Sequence, residues 1–187
     1  MVHLHRRPAS SASPGRRPAA RARERGQGLV EFALVLAPLM LVLLGIVQFG
    51  FIFNSYVTMT NAAREGARTG TIYVYNRTYT KSVNDVRRND AIKTAVLSSM
   101  NLLGKTAPQF TTGGTWTQSG STYTNGDLTV TYDIPSGVTD TDPRRGETIT
   151  VSAVYHQDLV VPLIANLLPR DAGGRLRLTS QVTMVIN

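Results

Sequence analysis

The stretch GQGLVEFALVLAPLMLVLLGIVQFGFIF, residues 26–53, decides how this chain is organised. From Leu29 onward its only strongly polar side chains are those of Glu31 and Gln48. About 20 apolar residues, each adding 1.5 Å of helix, are enough to cross a hydrocarbon core roughly 30 Å thick. The stretch therefore predicts a single transmembrane helix over residues 27–53.

The charges that flank this helix predict the direction of its insertion. The chain has a net charge of +8, and residues 1–26 alone hold seven arginines against one acid, Glu24. Because few basic residues follow the apolar stretch closely, the positive-inside rule places the N-terminus in the cytoplasm and everything after Phe53 outside. We expect a single-pass protein of the cytoplasmic (inner) membrane.

Residues 1–26 form a basic leader that is rich in Arg, Pro, Ser and Ala and shows no apolar periodicity. Such a segment buries too little apolar surface to offset the entropy of ordering, so it is predicted to be disordered. The rest of the chain is close to neutral, so the high overall pI does not indicate nucleic-acid binding. We expect no nucleic-acid partner.

The transmembrane helix is predicted to bend and then to continue into water. Pro38 removes one backbone hydrogen bond inside the membrane and is expected to produce a helix kink there. Residues 54–70 are predicted to extend the helix, with Gly70 as its end. The positions that recur at three- and four-residue spacing are Tyr56, Met59, Ala63 and Ala67.

Residues 71–187 are predicted to form an exterior α+β domain. A second, amphipathic helix is expected over residues 82–103, ended by Gly104. Near-alternating apolar and polar residues with many β-branched side chains predict three strands, with a weaker one preceding them. These strands cover residues 127–134, 147–156 and 175–186, and the weaker one residues 110–117. The fold class is therefore a long N-terminal transmembrane helix, a second helix and a small antiparallel sheet of three to four strands.

The run LVVPLIANLLP, residues 159–169, is apolar but is interrupted by Pro162 and Pro169. It is too short to span a bilayer. We expect it to pack across the sheet or to form a short helix, and a second contact with the membrane is the alternative.

The sequence offers no catalytic or metal-binding set. The chain has no cysteine, and two of its three histidines lie in the leader, while His156 stands in a predicted strand. Asp140, Asp142 and Glu147 begin like a calcium loop, but the Pro-Arg-Arg that follows breaks the EF-hand pattern, so a turn is predicted. We expect no enzyme activity, no cofactor, no metal and no small-molecule substrate.

The spacing between Gly26 and Glu31, behind a basic leader and ahead of a membrane helix, resembles the processing site of type IV prepilins. The resemblance implies that a membrane-embedded prepilin peptidase cuts on the cytoplasmic side, between Gly26 and Gln27. A cut after Gly28 would put Ala33 at the fifth position of the mature chain. The carboxylate therefore selects Gly26.

Glu31 has a further role by the same resemblance. Cleavage would create a new α-amino group on Gln27, one helical turn from Glu31. In assembled filaments of the prepilin family the corresponding carboxylate is thought to meet the terminal amine of a neighbouring subunit, which would make Glu31 an assembly and registration residue. The alternative is an interfacial acid that snorkels toward headgroups at the end of a simple anchor.

The longer run GQGLVEFALVLAPLMLVLLGIVQFG, followed by NAAREGAR, is similar to the TadE-like family of tight-adherence (Tad) pilus systems. This resemblance implies a pilin-like, bitopic protein that a prepilin peptidase processes and that serves pilus assembly without being the main subunit. The long exterior part fits a minor pilin or pseudopilin. The implied partners are prepilin peptidase, other pilins and pseudopilins, the inner-membrane assembly platform and membrane lipid.

The segment AAREGAR, residues 62–68, is a candidate packing motif. Its small residues form a smooth stripe suited to close helix packing, either on the chain's own sheet or against a neighbouring protein. Its charged residues, interleaved at helical spacing, are also typical of a solvated helix face. The small residues are Ala62, Ala63, Gly66 and Ala67, and the charged ones are Arg64, Glu65 and Arg68.

Two other functions stay open. One is a permanently anchored envelope protein whose exterior domain binds a ligand and in which Glu31 is incidental. The other is a secreted enzyme cleaved after the apolar run, although the span is long for a signal peptide. The mature N-terminus distinguishes these alternatives from processing after Gly26.

Overall fold

A computed structural model describes residues 20–101, 103, 114–139 and 143–187, with side chains from residue 26 onward. These residues contain three helices and five strands, which confirms the predicted α+β class. In chain order they are α1 (Ala20–Thr71), α2 (Lys81–Met100), β1 (Thr117–Ser119), β2 (Thr122–Asn125), β3 (Leu128–Asp133), β4 (Thr148–Gln157), α3 (Pro162–Ala165) and β5 (Leu176–Val185). The chain divides into two compact units, Met1–Leu43 and Leu44–Asn187.

Helix α1 is continuous over 52 residues and contains Pro38. It begins at Ala20, where the sequence predicted the disordered leader to continue, because Ala, Arg and Glu are strong helix formers that extend a helix already nucleated. Residues 1–19 lie outside the described residues. Among those described, a single helix, Gly26–Thr71, is long and apolar enough to cross a membrane. The bend at Pro38 stays a prediction.

Helix α2 begins and ends close to the predicted positions. The Thr80 side chain caps it by accepting a hydrogen bond from the Val83 backbone amide. The helix ends at Met100, and Asn101 follows with a positive φ of 51°. The predicted stop at Gly104 lies outside the described residues. Eight residues of α2 are buried, so the helix packs along its length.

The five strands form one antiparallel sheet in the order β1-β2-β3-β4-β5. Strands β3, β4 and β5 are those that alternation predicted. The short strands β1 and β2 were missed, and the weaker strand predicted over residues 110–117 is wrong for 114–116, which are not in a strand. Residues 110–113 are outside the described ranges.

The hydrophobic core lies between α1, α2 and one face of the sheet. Small residues of α1 allow close approach, and large apolar side chains of α2 and the strands fill the space. Each fully buried Val, Leu, Ile or Met side chain contributes about 1.5–3 kcal/mol. Core members are Met59, Ala62, Ala67, Ile92, Val96, Met100, Tyr123, Leu128, Val130, Tyr132, Ile149, Val151, Ala153, Tyr155 and Ile186.

Candidate functional site

The predicted processing segment lies on an exposed stretch of α1. The Gln27 side-chain amide donates a hydrogen bond of 3.2 Å to Glu31 across one helical turn. A Cβ built on Gly26 or on Gly28 would meet no atom within 4 Å. No described neighbour in the folded chain therefore requires a glycine at either position. A requirement for glycine at Gly26 would have to come from the binding site of another protein.

The Glu31 carboxylate lies on the surface of α1. It is exposed, and among residues with described side chains no arginine or lysine forms an ion pair with it. The hydrogen bond that it accepts from Gln27 comes from a neutral amide, which supplies no positive charge. The sequence predicted an assembly role for Glu31, and this carboxylate lies within one turn of the residue that cleavage would make N-terminal.

The second polar residue of the apolar stretch, Gln48, is fully buried and has protein partners. Its Oε1 atom accepts hydrogen bonds from the backbone amides of Val160 at 2.8 Å and Val161 at 3.2 Å. The sequence placed Gln48 inside the membrane span, but the structure attaches it to the loop before α3. Residues 29–47, about 28 Å long as a helix, are close to the roughly 30 Å that a bilayer needs.

Further contacts hold α1 against the sheet beyond Gln48. Ser55 donates a hydrogen bond of 2.5 Å to the Gln157 side chain at the end of β4. Thr60 lies within hydrogen-bond distance of Ser180 on β5, at 3.4 Å. These contacts connect the middle of the helix to the two longest strands.

The small-residue stripe of the packing motif is used inside the chain. Ala62, Ala63 and Ala67 are fully buried. A Cβ on Gly66 would lie 2.5 Å from Val96 Cγ2, and one on Gly70 would lie 2.6 Å from Ile149 Cδ1. Of the alternatives that the sequence left open, the structure selects packing on the chain's own α2 and sheet.

The charged residues of the motif face away from this interface. Arg64 and Arg68 are exposed, and Arg68 forms an ion pair of 3.4 Å with Glu65. Both partners of this pair are largely solvated, so it contributes little to stability. The small residues of the motif are thus packed inside the domain, whereas its charged residues face solvent.

Comparison with known families agrees with the arrangement of this helix. The family model described as TadE-like protein matches the chain from Gly26 to Arg68. Residues 26–68 are TadE-like. The match confirms the resemblance seen in the sequence. No curated protein and no solved structure matches the chain.

Outside the TadE-like segment, the structure contains a buried ion network that the sequence did not predict. Arg144 donates two hydrogen bonds of 2.8 Å to the two oxygens of Asp85, from Nε and Nη2. Its Nη1 donates a third, of 2.5 Å, to Glu147. Arg144 has φ of 67°, so the backbone here adopts the left-handed conformation that residues other than glycine rarely take. The network joins the loop before β4 to α2.

Two buried tyrosines complete the network. The Tyr123 hydroxyl donates to Asp85 at 3.1 Å, and burial together with the negative charge of Asp85 raises the pKa of Tyr123 to about 12. Burial likewise raises the pKa of Tyr132, whose hydroxyl donates to Asn89 at 2.6 Å. Burial alone would lower the pKa of Arg144, but its hydrogen bonds with the carboxylates raise it above its ordinary value. Both tyrosines are therefore neutral donors at physiological pH.

One sequence signal could have revealed this network. Asp85, Arg88 and Asn89 stand seven, four and three residues ahead of Ile92, and so lie on the same face of α2 as Ile92 and Val96. Polar side chains in line with an apolar face are buried when the face is packed, and they then need partners.

His156, predicted to be an ordinary strand residue, lies between two carboxylates. Its Nδ1 atom contacts Asp171, and its Nε2 atom lies 3.3 Å from Asp127. Each ring nitrogen thus faces a different acid, which suits a hydrogen-bonded link rather than metal binding. Within the described residues no group of three or more His, Asp or Glu side chains is arranged to hold a metal ion.

Proposed function

We propose that this protein is a minor pilin or pseudopilin of a Tad-type pilus assembly or secretion system, processed by a prepilin peptidase between Gly26 and Gln27. The observation that carries the proposal is the TadE-like match, which begins at Gly26 and includes Glu31. The TadE-like match supports a structural role rather than a catalytic one, and in this proposal the protein acts by assembly.

The properties of Glu31 support a part in assembly. A carboxylate without a cationic partner is costly to place near a hydrocarbon core, and it is stabilised when an opposite charge approaches it. The α-amino group of a neighbouring mature subunit would supply that charge. In this proposal the membrane half of α1 binds the corresponding helices of other pilins and pseudopilins.

The exposed surface of α1 supports the same conclusion. Most of its side chains between Leu29 and Val47 are apolar, and nearly all residues of this stretch are exposed. Such a surface needs lipid or other apolar helices around it. We propose that the helix crosses the inner membrane with its N-terminus in the cytoplasm, and that it enters a bundle of like helices during assembly.

The decisive experiment is mass spectrometry of the N-terminus of the protein purified from cells that express the pilus system. We expect a mature N-terminus at Gln27. In Gly26→Ile we expect the full-length precursor to accumulate, because a bulky residue prevents close approach of the backbone to the peptidase. Gly28→Ala is the matched control, since it also changes a glycine with open space around it. It leaves the Gly26–Glu31 spacing intact and should be processed normally.

An intact N-terminus in piliated cells, or normal maturation of Gly26→Ile, would refute the assigned processing site. An intact N-terminus would favour the permanently anchored envelope protein. A cut after Phe53 would instead favour a secreted protein.

A further inference from the structure

A cavity of about 260 Å³ lies beside α2, between the α1–α2 loop and the segment that precedes β4. Three of its lining residues are arginines, Arg77, Arg88 and Arg145, and two are tyrosines, Tyr73 and Tyr75. Among the described residues that line it there is no aspartate or glutamate. The charged side chains among these described lining residues are therefore all arginines.

Arg88 is the buried member of this group, with 2% of its surface exposed. Neither Nε nor Nη1 has a hydrogen-bond partner among the described residues. The rings of Tyr73 and Tyr132 lie 5.2 Å and 5.8 Å from its Cζ atom, which gives the cation aromatic neighbours. These contacts do not satisfy the N–H donors, and buried donors without acceptors are unfavourable.

In the same region, the neighbouring Arg144 has carboxylate acceptors for its N–H donors. It holds Asp85 and Glu147 at hydrogen-bond distances. These two carboxylates are bound to Arg144, and neither lines the cavity that contains Arg88. Among the described residues that line the cavity, arginine charge therefore exceeds carboxylate charge, and the buried Nε and Nη1 atoms of Arg88 have no acceptor.

We propose that this cavity is a binding site for a small dianionic oxyanion, either a phosphate group or a dicarboxylate. Arg88 would donate from the interior, and Arg77 and Arg145 would donate from the rim. Guanidinium groups match the geometry of carboxylate and phosphate oxygens, and three of them favour a dianion over a monoanion. This site goes beyond the assembly role and does not depend on it.

The test is anion-dependent thermal stability of the full chain in nanodiscs of zwitterionic phosphatidylcholine. Inorganic phosphate and succinate are the two probes, and chloride at matched ionic strength is the reference. A ligand that binds only the folded state raises Tm in a saturable manner. We expect such a rise with phosphate or succinate, and the stronger of the two identifies the ligand class.

Variants connect this effect to the cavity. Arg77→Gln and Arg145→Gln on the rim should each weaken binding about tenfold or more, because each removes one of the charged donors. Arg88→Gln should abolish binding. Arg64→Gln removes the same charge from an exposed position outside the cavity and should leave binding unchanged. The rim variants keep the test valid if Arg88→Gln fails to fold. The proposal is overturned if neither probe gives a saturable rise, or if Arg64→Gln weakens binding as much as the rim variants do.

A different observation concerns the loop that contains α3. Val160, Leu163 and Leu167 expose 69%, 57% and 80% of their surface, although all three are large and apolar. Arg170 follows them and donates a hydrogen bond of 3.2 Å to Asn166. The loop therefore combines exposed apolar side chains with an adjacent positive charge.

The loop is attached to α1 where the apolar stretch ends. The Gln48 side chain accepts hydrogen bonds from two backbone amides of the loop. A Cβ built on Gly45 would lie 3.5 Å from the side chain of Ile164. Exposed leucines beside an arginine are typical of segments that lie in the headgroup region of a bilayer. From this continuity with the apolar helix we infer that the loop inserts Leu163 and Leu167 into the boundary between headgroups and acyl chains. This inference rests on the proposed membrane anchor.

Quenching of tryptophan fluorescence by brominated lipids tests the loop and the anchor separately. The single native tryptophan, Trp116, serves as the water-side reference. In a Trp116→Phe background, Leu41→Trp reports the anchor and Leu167→Trp reports the loop. We expect quenching at both new positions and little at Trp116.

Failure of the loop contact and failure of the membrane anchor would give different quenching patterns. Quenching of Leu41→Trp without quenching of Leu167→Trp would disprove the loop contact and leave the anchor intact. A blue-shifted but unquenched Leu167→Trp would disprove it in favour of a second protein copy. Absence of quenching at Leu41→Trp would disprove the anchor and, with it, the loop contact.

Discussion

Arg144 and Asp85 form a two-point hydrogen-bonded ion pair, with both nitrogen–oxygen distances at 2.8 Å. The residues are far apart in the chain, and their pairing fixes the loop before β4 to the second helix. Because both side chains are buried, the pair is costly to leave half-formed.

Arg144→Met should lower the free energy of unfolding by about 3–5 kcal/mol, because it removes the buried cation that contacts both Asp85 and Glu147. Urea unfolding followed by near-UV circular dichroism measures the change. The adjacent Arg145→Gln removes an equal charge from an exposed side chain and should cost less than about 0.5 kcal/mol. Equal losses in the two variants would show that the ion pair is not the cause.

Gly66→Ala should destabilise the domain by about 1–3 kcal/mol, because the new Cβ would lie 2.5 Å from Val96 Cγ2. Gly50→Ala is the matched control on the same helix, with no atom within 4 Å of the new Cβ. It should be neutral or slightly stabilising, since alanine favours helix. Adding Val96→Ala to Gly66→Ala tests the steric cause. If the double variant recovered nothing, relative to Val96→Ala alone, the clash would not be the reason.

The contact between Asp171 and His156 makes a prediction about acid stability. A hydrogen bond from the Arg175 backbone amide, followed by the His156 side chain, lowers the pKa of Asp171 below its ordinary value of 3.8. A lowered pKa stabilises the fold above the unfolded pKa, and this contribution is lost as pH falls through the folded pKa. Unfolding measured between pH 6 and pH 2 should therefore depend less on pH in Asp171→Asn. An unchanged acid dependence would assign the loss to other carboxylates.

Glu31→Gln should preserve membrane insertion and N-terminal processing while reducing pilus assembly. Removing a charge eases burial in the membrane, but it also removes the partner for the α-amino group of a neighbouring subunit. Immunoblotting of membranes and electron microscopy of cells measure the two outcomes. Glu65→Gln is the control, since its carboxylate lies on an exposed surface. Normal piliation in Glu31→Gln would remove the registration role.

The sequence predicted those elements whose residues follow a simple period. The long apolar helix, α2 and the three alternating strands β3, β4 and β5 were placed within a few residues of their observed bounds. Strands β1 and β2 were missed because they consist mainly of threonine, serine and polar residues. Tyr123 is the large side chain by which β2 packs in the core.

The features that the sequence did not predict concern polar residues that tertiary contacts satisfy. Nothing in the sequence around Gln48 distinguishes it from other positions of the helix. Its partners are backbone amides more than a hundred residues away. Asp85 and Arg144 likewise meet only after the sheet has formed. Such long-range pairs leave no periodic signal, so neither the junction at Gln48 nor the ion network could be read from spacing.

The junction at Gln48 has a consequence for how this helix can vary. Gln48 and Ala62 are held by separate contacts, the first with the loop before α3 and the second within the core. One residue inserted between them would turn one contact by about 100° around the helix axis relative to the other. Because the loop before α3 and the core are both fixed in the folded domain, neither contact can follow this rotation. This interval therefore has a fixed length, and an insertion or deletion within it would break one of the two contacts.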